Sequence, residues 1–123
     1  MTYYLLFLAI GRIALGLAPL VAAGPASRLL GFPVEHDTPT TRLFGRLFGI
    51  RDMGLGVLVL WVMSDPVALK WAMLFNMFHD AADALAISVP LIKRQGIDKG
   101  AGLSLGFALG GFCAWLIAYA LLP

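Results

Sequence analysis

Four long apolar segments separated by polar turns dominate the hydrophobic pattern of the chain. Each has roughly 20 residues or more, the length that an α-helix needs to cross about 30 Å of hydrocarbon. None of them alternates apolar and polar residues with a period of two, so the pattern gives no support for strands. The predicted helices are residues 3–23, 39–63, 66–89 and 102–122.

Prolines and capping residues mark the predicted helix ends. Gly24-Pro25 closes the first helix, and Pro90 stops the third, because proline cannot donate the helical hydrogen bond. Thr38-Pro39 and Asp65-Pro66 each place an N-cap before a proline at the first helical position. The pattern therefore predicts an all-α fold, a four-helix bundle that runs up-down-up-down as a single domain over residues 1–123.

Basic residues indicate how this bundle is oriented. They concentrate in and beside the two longer loops, residues 27–38 and 93–100, whereas the opposite side carries only Lys70. The positive-inside rule then places these loops in the cytoplasm and both termini on the non-cytoplasmic side. The basic residues concerned are Arg28, Arg42, Arg46, Lys93, Arg94 and Lys99.

The composition supports a membrane protein. Hydrophobic residues make up 60% of the chain and charged residues 13%, against about 25% charged in soluble domains. The first segment has no basic residue before it and is interrupted by Arg12, so we interpret it as a retained helix rather than a signal peptide. The prediction is a multi-pass protein of the cell membrane, a bacterial inner membrane, whose first partner is the lipid bilayer. A net charge of +2 without a basic stripe argues against nucleic acid.

Charged and polar residues occur inside three of the four predicted spans. Such residues cost several kcal/mol in lipid and by default indicate function. At about 100° per residue, the polar residues of the third helix occupy one face. Together, the polar and charged groups of the three helices outnumber what two Arg–Asp ion pairs would need. The residues are Arg12 on the first helix, Arg51 and Asp52 on the second, and Asn76, His79, Asp80 and Asp83 on the third.

Counting residues back from the turn at Asp65 predicts how these groups pair. Arg51 comes level with about Phe78, and Arg12, counted from the outer surface, with about Met53. The two arginines therefore share a depth with Asp52 and Asp80, and we expect the pairs Arg51–Asp80 and Asp52–Arg12. The alternative to a functional pocket is a purely structural network, because buried ion pairs can specify which helices pack together.

Two functions follow from a polar pocket of this kind. The first is binding of a lipid, a lipophilic small molecule or a membrane partner. The alternative is a cofactor-independent enzyme for epoxide hydrolysis, isomerisation or cyclisation of a lipophilic substrate, with Asp80 as acid and Arg51 as orienting cation. Asp52 or Asp83 is then the base. The predicted ligand-binding residues are Arg12, Asn76, His79 and Arg46.

Metal and cofactor chemistry is not predicted. His79 and Asp83 have the i, i+4 spacing of metal ligands, but the other histidine, His36, lies in a loop. Asp80-Ala81-Ala82-Asp83 has the DxxD form of membrane prenyltransferases, yet a second acidic motif is missing. The predicted site therefore has no metal and no cofactor.

Glycines at every fourth position predict close helix packing. Gly45 and Gly49 form such a row on the second helix, and Gly102, Gly106 and Gly110 form one on the fourth. Packing within the bundle is the main expectation, and a homo-oligomer through helix four is the alternative.

Several short sequences resemble a family of small bacterial four-helix membrane proteins of unknown function, distantly similar to DoxX. They include residues 11–16, residues 29–33, and the run from Gly49 to Gly56 that contains Arg51-Asp52. The resemblance implies a four-helix fold and supplies no activity. DoxX-type proteins look like partners of redox enzymes at the membrane. This chain has a single cysteine, Cys113, and therefore no cysteine pair that could carry electrons itself.

Overall fold

A computed structural model describes residues 1–29, 33–96 and 101–123, and their regular structure is entirely helical. This confirms the all-α prediction. A short 3-10 turn at Val34–His36 accompanies the α-helices. The α-helices are α1 (Thr2–Val21), α2 (Ala23–Leu29), α3 (Pro39–Val62), α4 (Pro66–Ile92) and α5 (Ala101–Leu121).

The short helix α2 was not predicted. We expected the first helix to continue to residue 23 and to end at Gly24-Pro25, but it ends at Val21. Ala22 interrupts it, and Pro25 then lies in the first turn of α2. Proline is tolerated there because the first N–H groups of a helix have no partner within it. Of the two predicted loops, residues 30–32 and 97–100 lie outside the described part.

The two predicted N-caps are confirmed. The Thr38 hydroxyl accepts a hydrogen bond from the Thr41 N–H at 3.2 Å, and one Asp65 oxygen accepts from Val67 and Ala68. The predicted stop at Pro90 was wrong, because α4 continues to Ile92. The helix tolerates the bond that Pro90 cannot donate, and the Lys93 N–H still donates to the Val89 carbonyl at 3.0 Å.

The long helices pack mainly as two pairs, α1 with α3 and α4 with α5. Contact between α3 and α4 is more limited, although a tight turn joins them, and α2 touches α1, α3 and α5. A buried apolar cluster joins the two pairs. Its members come from all four long helices: Leu5, Ala9, Val59, Leu69, Ala72, Met73, Trp115 and Ala118.

Glycines bring α1 and α3 into backbone contact. A Cβ atom built on Gly49 would collide with the carbonyl oxygen of Gly16, and one on Gly56 would lie 2.6 Å from the carbonyl oxygen of Ala9. Small residues at these positions are therefore what allows the two backbones to approach.

The glycine row of α5 does not pack within the described bundle, although this was the main expectation from the sequence. Gly102, Gly106 and Gly110 are exposed, and nothing lies within 4 Å of a Cβ atom built on any of them. The reason is that α5 turns the opposite face inward, with Ala101, Ala108 and Ala118 buried. Packing within the described bundle was thus the wrong expectation for this row, and its use in a homo-oligomer stays a prediction.

Among the described helices, α1 and α5 are long and apolar enough to cross a membrane, with mean hydropathies of 2.0 and 1.8. The other two long helices carry the charged residues of the chain's centre, which lower their hydropathy. Large apolar side chains are nevertheless exposed on all four, among them Tyr3 at 88%, Trp61 at 82% and Ile92 at 80%.

Gly49→Ala should destabilise the protein, because the new methyl group must push α1 away from α3. We expect a loss of about 1–3 kcal/mol, the usual cost of overpacking, measured by thermal unfolding in detergent. Gly54→Ala on the same helix is the matched control, since its Cβ meets nothing within 4 Å. Equal stability of the two variants would contradict the packing described here.

Candidate functional site

Five charged side chains from three helices form one continuous ion-pair network, here called the central network. It consists of Arg12 on α1, Arg51 and Asp52 on α3, and Asp80 and Asp83 on α4. Its members alternate in charge along a chain of contacts, so that every arginine touches two carboxylates. The order of contacts is Asp80, Arg12, Asp52, Arg51, Asp83.

Arg12 holds three helices together. Its Nη1 atom lies 2.9 Å and 3.0 Å from the two oxygens of Asp80, and its Nη2 atom lies 3.3 Å from Oδ1 of Asp52. All three side chains are only 8% exposed. A guanidinium presents five donors in a planar fork, so one arginine can serve carboxylates from two directions. This part of the network is therefore closed to its surroundings.

Arg51 forms the other end of the network. Its Nη2 atom lies 2.7 Å from Oδ2 of Asp83 and 3.4 Å from Oδ1 of Asp52, and its guanidinium stacks on the ring of Phe48 at 4.7 Å. The side chains of Arg51 and Asp83 are 34% and 19% exposed. Exposure thus rises along the network, and the Arg51–Asp83 pair is its open end.

One of the two expected ion pairs is present. Arg12 contacts Asp52 as predicted, but the expected pairing of Arg51 with Asp80 was wrong. Asp80 instead faces Arg12 and α5, and Arg51 reaches Asp83, one turn further along α4. Counting residues from the turn assumed close antiparallel packing of α3 on α4, whereas the closer contacts of α3 are with α1.

The other predicted site residues bond elsewhere. The Asn76 amide donates to the Ala72 carbonyl at 2.9 Å, and Nδ1 of His79 lies 2.9 Å from the Phe75 carbonyl oxygen. Both side chains thus bond their own helix. Asn76 is fully buried, and its Oδ1 has no hydrogen-bond partner among the described residues. Arg46, the eighth predicted residue, is exposed near the start of α3 and outside the central network.

Gly111 is a site residue that sequence reasoning missed. A Cβ atom built on it would lie 2.7 Å from Oδ2 of Asp80, so α5 presses its backbone against that carboxylate. The available signal was the Gly110-Gly111 doublet. Only Gly110 belongs to the row of glycines at every fourth position, whereas Gly111 lies on the inward face of α5.

A separate ion pair lies at the start of α3. Nε and Nη2 of Arg42 donate to the two oxygens of Asp37 at 2.8 Å and 2.9 Å. Hydrogen bonding to this guanidinium lowers the pKa of the Asp37 carboxyl below its usual value. Both residues are solvent-accessible, so the pair adds little to stability and mainly ties the 3-10 turn to α3.

A shallow, open apolar groove of about 250 Å³ runs along the exposed face of α4, and none of its lining residues belongs to the central network. It is lined by Trp71, Leu74, Phe75 and Phe78, which follow the i, i+3, i+4 spacing of one helix face. We call it the aromatic groove. Among the described residues, no group of three His, Cys, Asp or Glu side chains is placed to hold a metal ion.

A family model described as "Domain of unknown function (DUF4267)" matches residues 9–122. No curated protein matches the chain, and no solved structure matches it.

Gly111→Ala should destabilise the protein, because Asp80 is held by Arg12 and cannot move away from the new methyl group. We expect a loss of about 1–3 kcal/mol in thermal unfolding. Gly110→Ala is the control, since a Cβ there meets nothing within 4 Å. If the two neighbouring substitutions had the same effect, the contact between α5 and Asp80 would not constrain the fold.

Proposed function

The chain belongs to the DUF4267 family, and we propose that it is an integral membrane protein that binds the polar group of a lipophilic molecule. The binding site is the open end of the central network, Arg51 and Asp83. The rise in exposure along the network, from 8% at Arg12 to 34% at Arg51, is the observation that carries this proposal. This exposure leaves Arg51 and Asp83 within reach of a second molecule.

The membrane setting is supported by the outer surface. Large apolar side chains are exposed on every long helix, and in water a surface of this kind would cause association. In lipid it is the expected exterior. The charged residues of the central network lie between the helices, which is how charged spans are tolerated. We therefore propose four spans arranged up-down-up-down in the cell membrane, with both termini on the non-cytoplasmic side.

This arrangement predicts opposite accessibility of two turns. With Cys113 replaced by alanine, Ser64→Cys in the α3–α4 turn should react with a membrane-impermeant maleimide on intact cells. Glu35→Cys in the 3-10 turn should react only after lysis, because its loop is cytoplasmic. Labelling of both cysteines on intact cells would refute the four-span topology.

The open end offers a polar molecule both kinds of hydrogen-bonding partner. Asp83 uses Oδ2 for Arg51, and Arg51 is held on its other side by the ring of Phe48. The accessible position of the pair lets a molecule enter sideways from lipid.

Native mass spectrometry of the purified protein tests this binding. We expect wild type to retain a one-to-one adduct of a lipophilic molecule, and Asp83→Asn to lose it. Glu35→Gln is the control, because it removes an exposed carboxylate outside the network. Recovery of wild type without an adduct, or an equal adduct on Asp83→Asn, would refute the proposal. A stoichiometric protein partner in its place would favour docking of a membrane subunit.

An enzyme of the same site is the second candidate, favoured by the three carboxylates that share two arginines. Asp80 is the carboxyl that the sequence indicated as acid, but it lies between Arg12 and Gly111 at the closed end. Asp83 is the more accessible carboxylate and so the better candidate for acid–base chemistry on a lipophilic substrate. The kinship with DoxX-type proteins and the homo-oligomer through α5 stay predictions.

A further inference from the structure

We propose that the start of α3 binds the headgroup phosphate of an anionic phospholipid, with Arg46 as its main contact. This site lies outside the central network and goes beyond the proposed function, from which it takes the four membrane spans and their orientation. Three features support it: the place of Arg46 on an outward apolar face, a second guanidinium one turn away, and the charge of this end of the bundle.

Arg46 is a charged residue on an otherwise apolar outward face of α3. At about 100° per residue, Leu43, Arg46 and Ile50 lie within about 60° of one another. The same face continues to Val57 and Trp61, and these four apolar side chains are 50–82% exposed. Arg46 is exposed as well, and no ion pair holds it among the described residues. A lone charge facing hydrocarbon is costly, so its guanidinium needs a polar partner outside the bundle.

The geometry of α3 directs Arg46 toward the lipid headgroups. Arg46 lies seven residues after Pro39, the first residue of α3, and thus about 10 Å along the axis from the helix start. Because Cα–Cβ bonds tilt toward the N-terminus of a helix, its side chain leaves the backbone in that direction. An arginine at this depth keeps its methylene groups in lipid and brings its guanidinium to the interface, where the phosphates lie.

Arg42 adds a second guanidinium to the same face. It precedes Arg46 by one turn, a spacing that separates the two Cβ atoms by about 6 Å. Its Nε and Nη2 atoms donate to Asp37, which holds the planar group in place and leaves Nη1 for a further acceptor. A phosphate between the two residues can therefore accept from both arginines, the side chain best suited to this group.

The end of the bundle where α3 begins and α4 ends, here called the basic end, carries excess positive charge. Its described part has five basic residues and two acidic ones, whereas Lys70 and Asp65 cancel at the opposite end. The proposed topology places the basic end at the cytoplasmic leaflet, whose anionic lipids attract such clusters. The basic residues are Arg28, Arg42, Arg46, Lys93 and Arg94, and the acidic ones are Glu35 and Asp37.

The surroundings of Arg46 favour a lipid over a free phosphate ion. Leu43, Leu47 and Ile50 beside it are 53%, 53% and 57% exposed. These side chains can contact acyl chains while the guanidinium contacts the headgroup, and a free ion gains only the second contact. An anionic lipid is favoured over a zwitterionic one because the latter brings a cation of its own to an end that is already positive.

Native mass spectrometry with two defined lipids tests this preference on the intact protein. Purified wild type is titrated with equal amounts of phosphatidylglycerol and phosphatidylcholine that have the same acyl chains. We expect phosphatidylglycerol to bind about fivefold more tightly, the effect of one basic residue at an anionic surface. Raising the salt concentration from about 0.1 M to about 1 M should weaken the preference, because the Debye length falls from about 10 Å to about 3 Å.

Three variants locate the preference. Arg46→Gln should abolish it, and Arg46→Lys, which keeps the charge and loses the planar fork, should retain only part of it. Lys70→Gln is the matched control, because it removes the same charge at the opposite end and should leave the preference unchanged. Equal losses in Arg46→Gln and Lys70→Gln would overturn the site and indicate attraction to net charge alone. The lipid and salt comparisons on wild type need no variant, so the inference stays testable if Arg46→Gln does not fold.

The outcomes also separate this inference from binding at the open end of the central network. Asp83→Asn should keep the preference for phosphatidylglycerol, and its loss there would overturn Arg46 as the contact. Equal binding of the two lipids by wild type would overturn this inference and leave the open end unaffected. Displacement of phosphatidylglycerol by inorganic phosphate would overturn the choice of a lipid. If neither lipid binds, the four membrane spans fail together with this inference.

Discussion

The guanidinium of Arg12 is the interaction on which the rest of the structure depends. It touches carboxylates of both α3 and α4 from a third helix, α1, whereas Arg51 reaches Asp52 and Asp83 from α3 itself. Removing one partner of a buried ion pair costs about 3–5 kcal/mol, because the remaining charge is left without compensation. Removing Arg12 would leave two buried carboxylates, Asp52 and Asp80, without this partner. The network therefore fixes the relative position of the helix pairs, whatever else it does.

Two other kinds of contact also position the helices relative to one another. Close glycine contacts align α1 with α3, and the apolar cluster around Met73 and Trp115 joins the helix pairs. Neither contact encloses the Arg51–Asp83 pair. The architecture thus combines a closed part with an accessible pair of charges, and this difference in exposure is the basis of the binding role that we propose for one end of the network.

The sequence predicted the four long helices, the N-caps of two of them and the five residues of the central network, because these depend on local chemistry. Thr38 and Asp65 cap helices through residues two or three positions away, and charged residues in the middle of an apolar span are expected to face inward. Interhelical register was less predictable. Arg51 meets Asp83 rather than Asp80 because α3 packs chiefly on α1, a fact of tertiary packing that residue counting does not contain. Gly111 was missed because its partner, Asp80, belongs to another helix.

Every acid in the central network is an aspartate, and the only glutamate of the chain is Glu35, outside it. The short side chain has a geometric consequence. Asp80 bridges Arg12 and the backbone at Gly111 with no space for one added carbon on the glycine. A glutamate at position 80 would carry the same charge but demand a wider separation between α4 and its neighbours. Side-chain length, and not charge alone, thus sets the spacing of these helices.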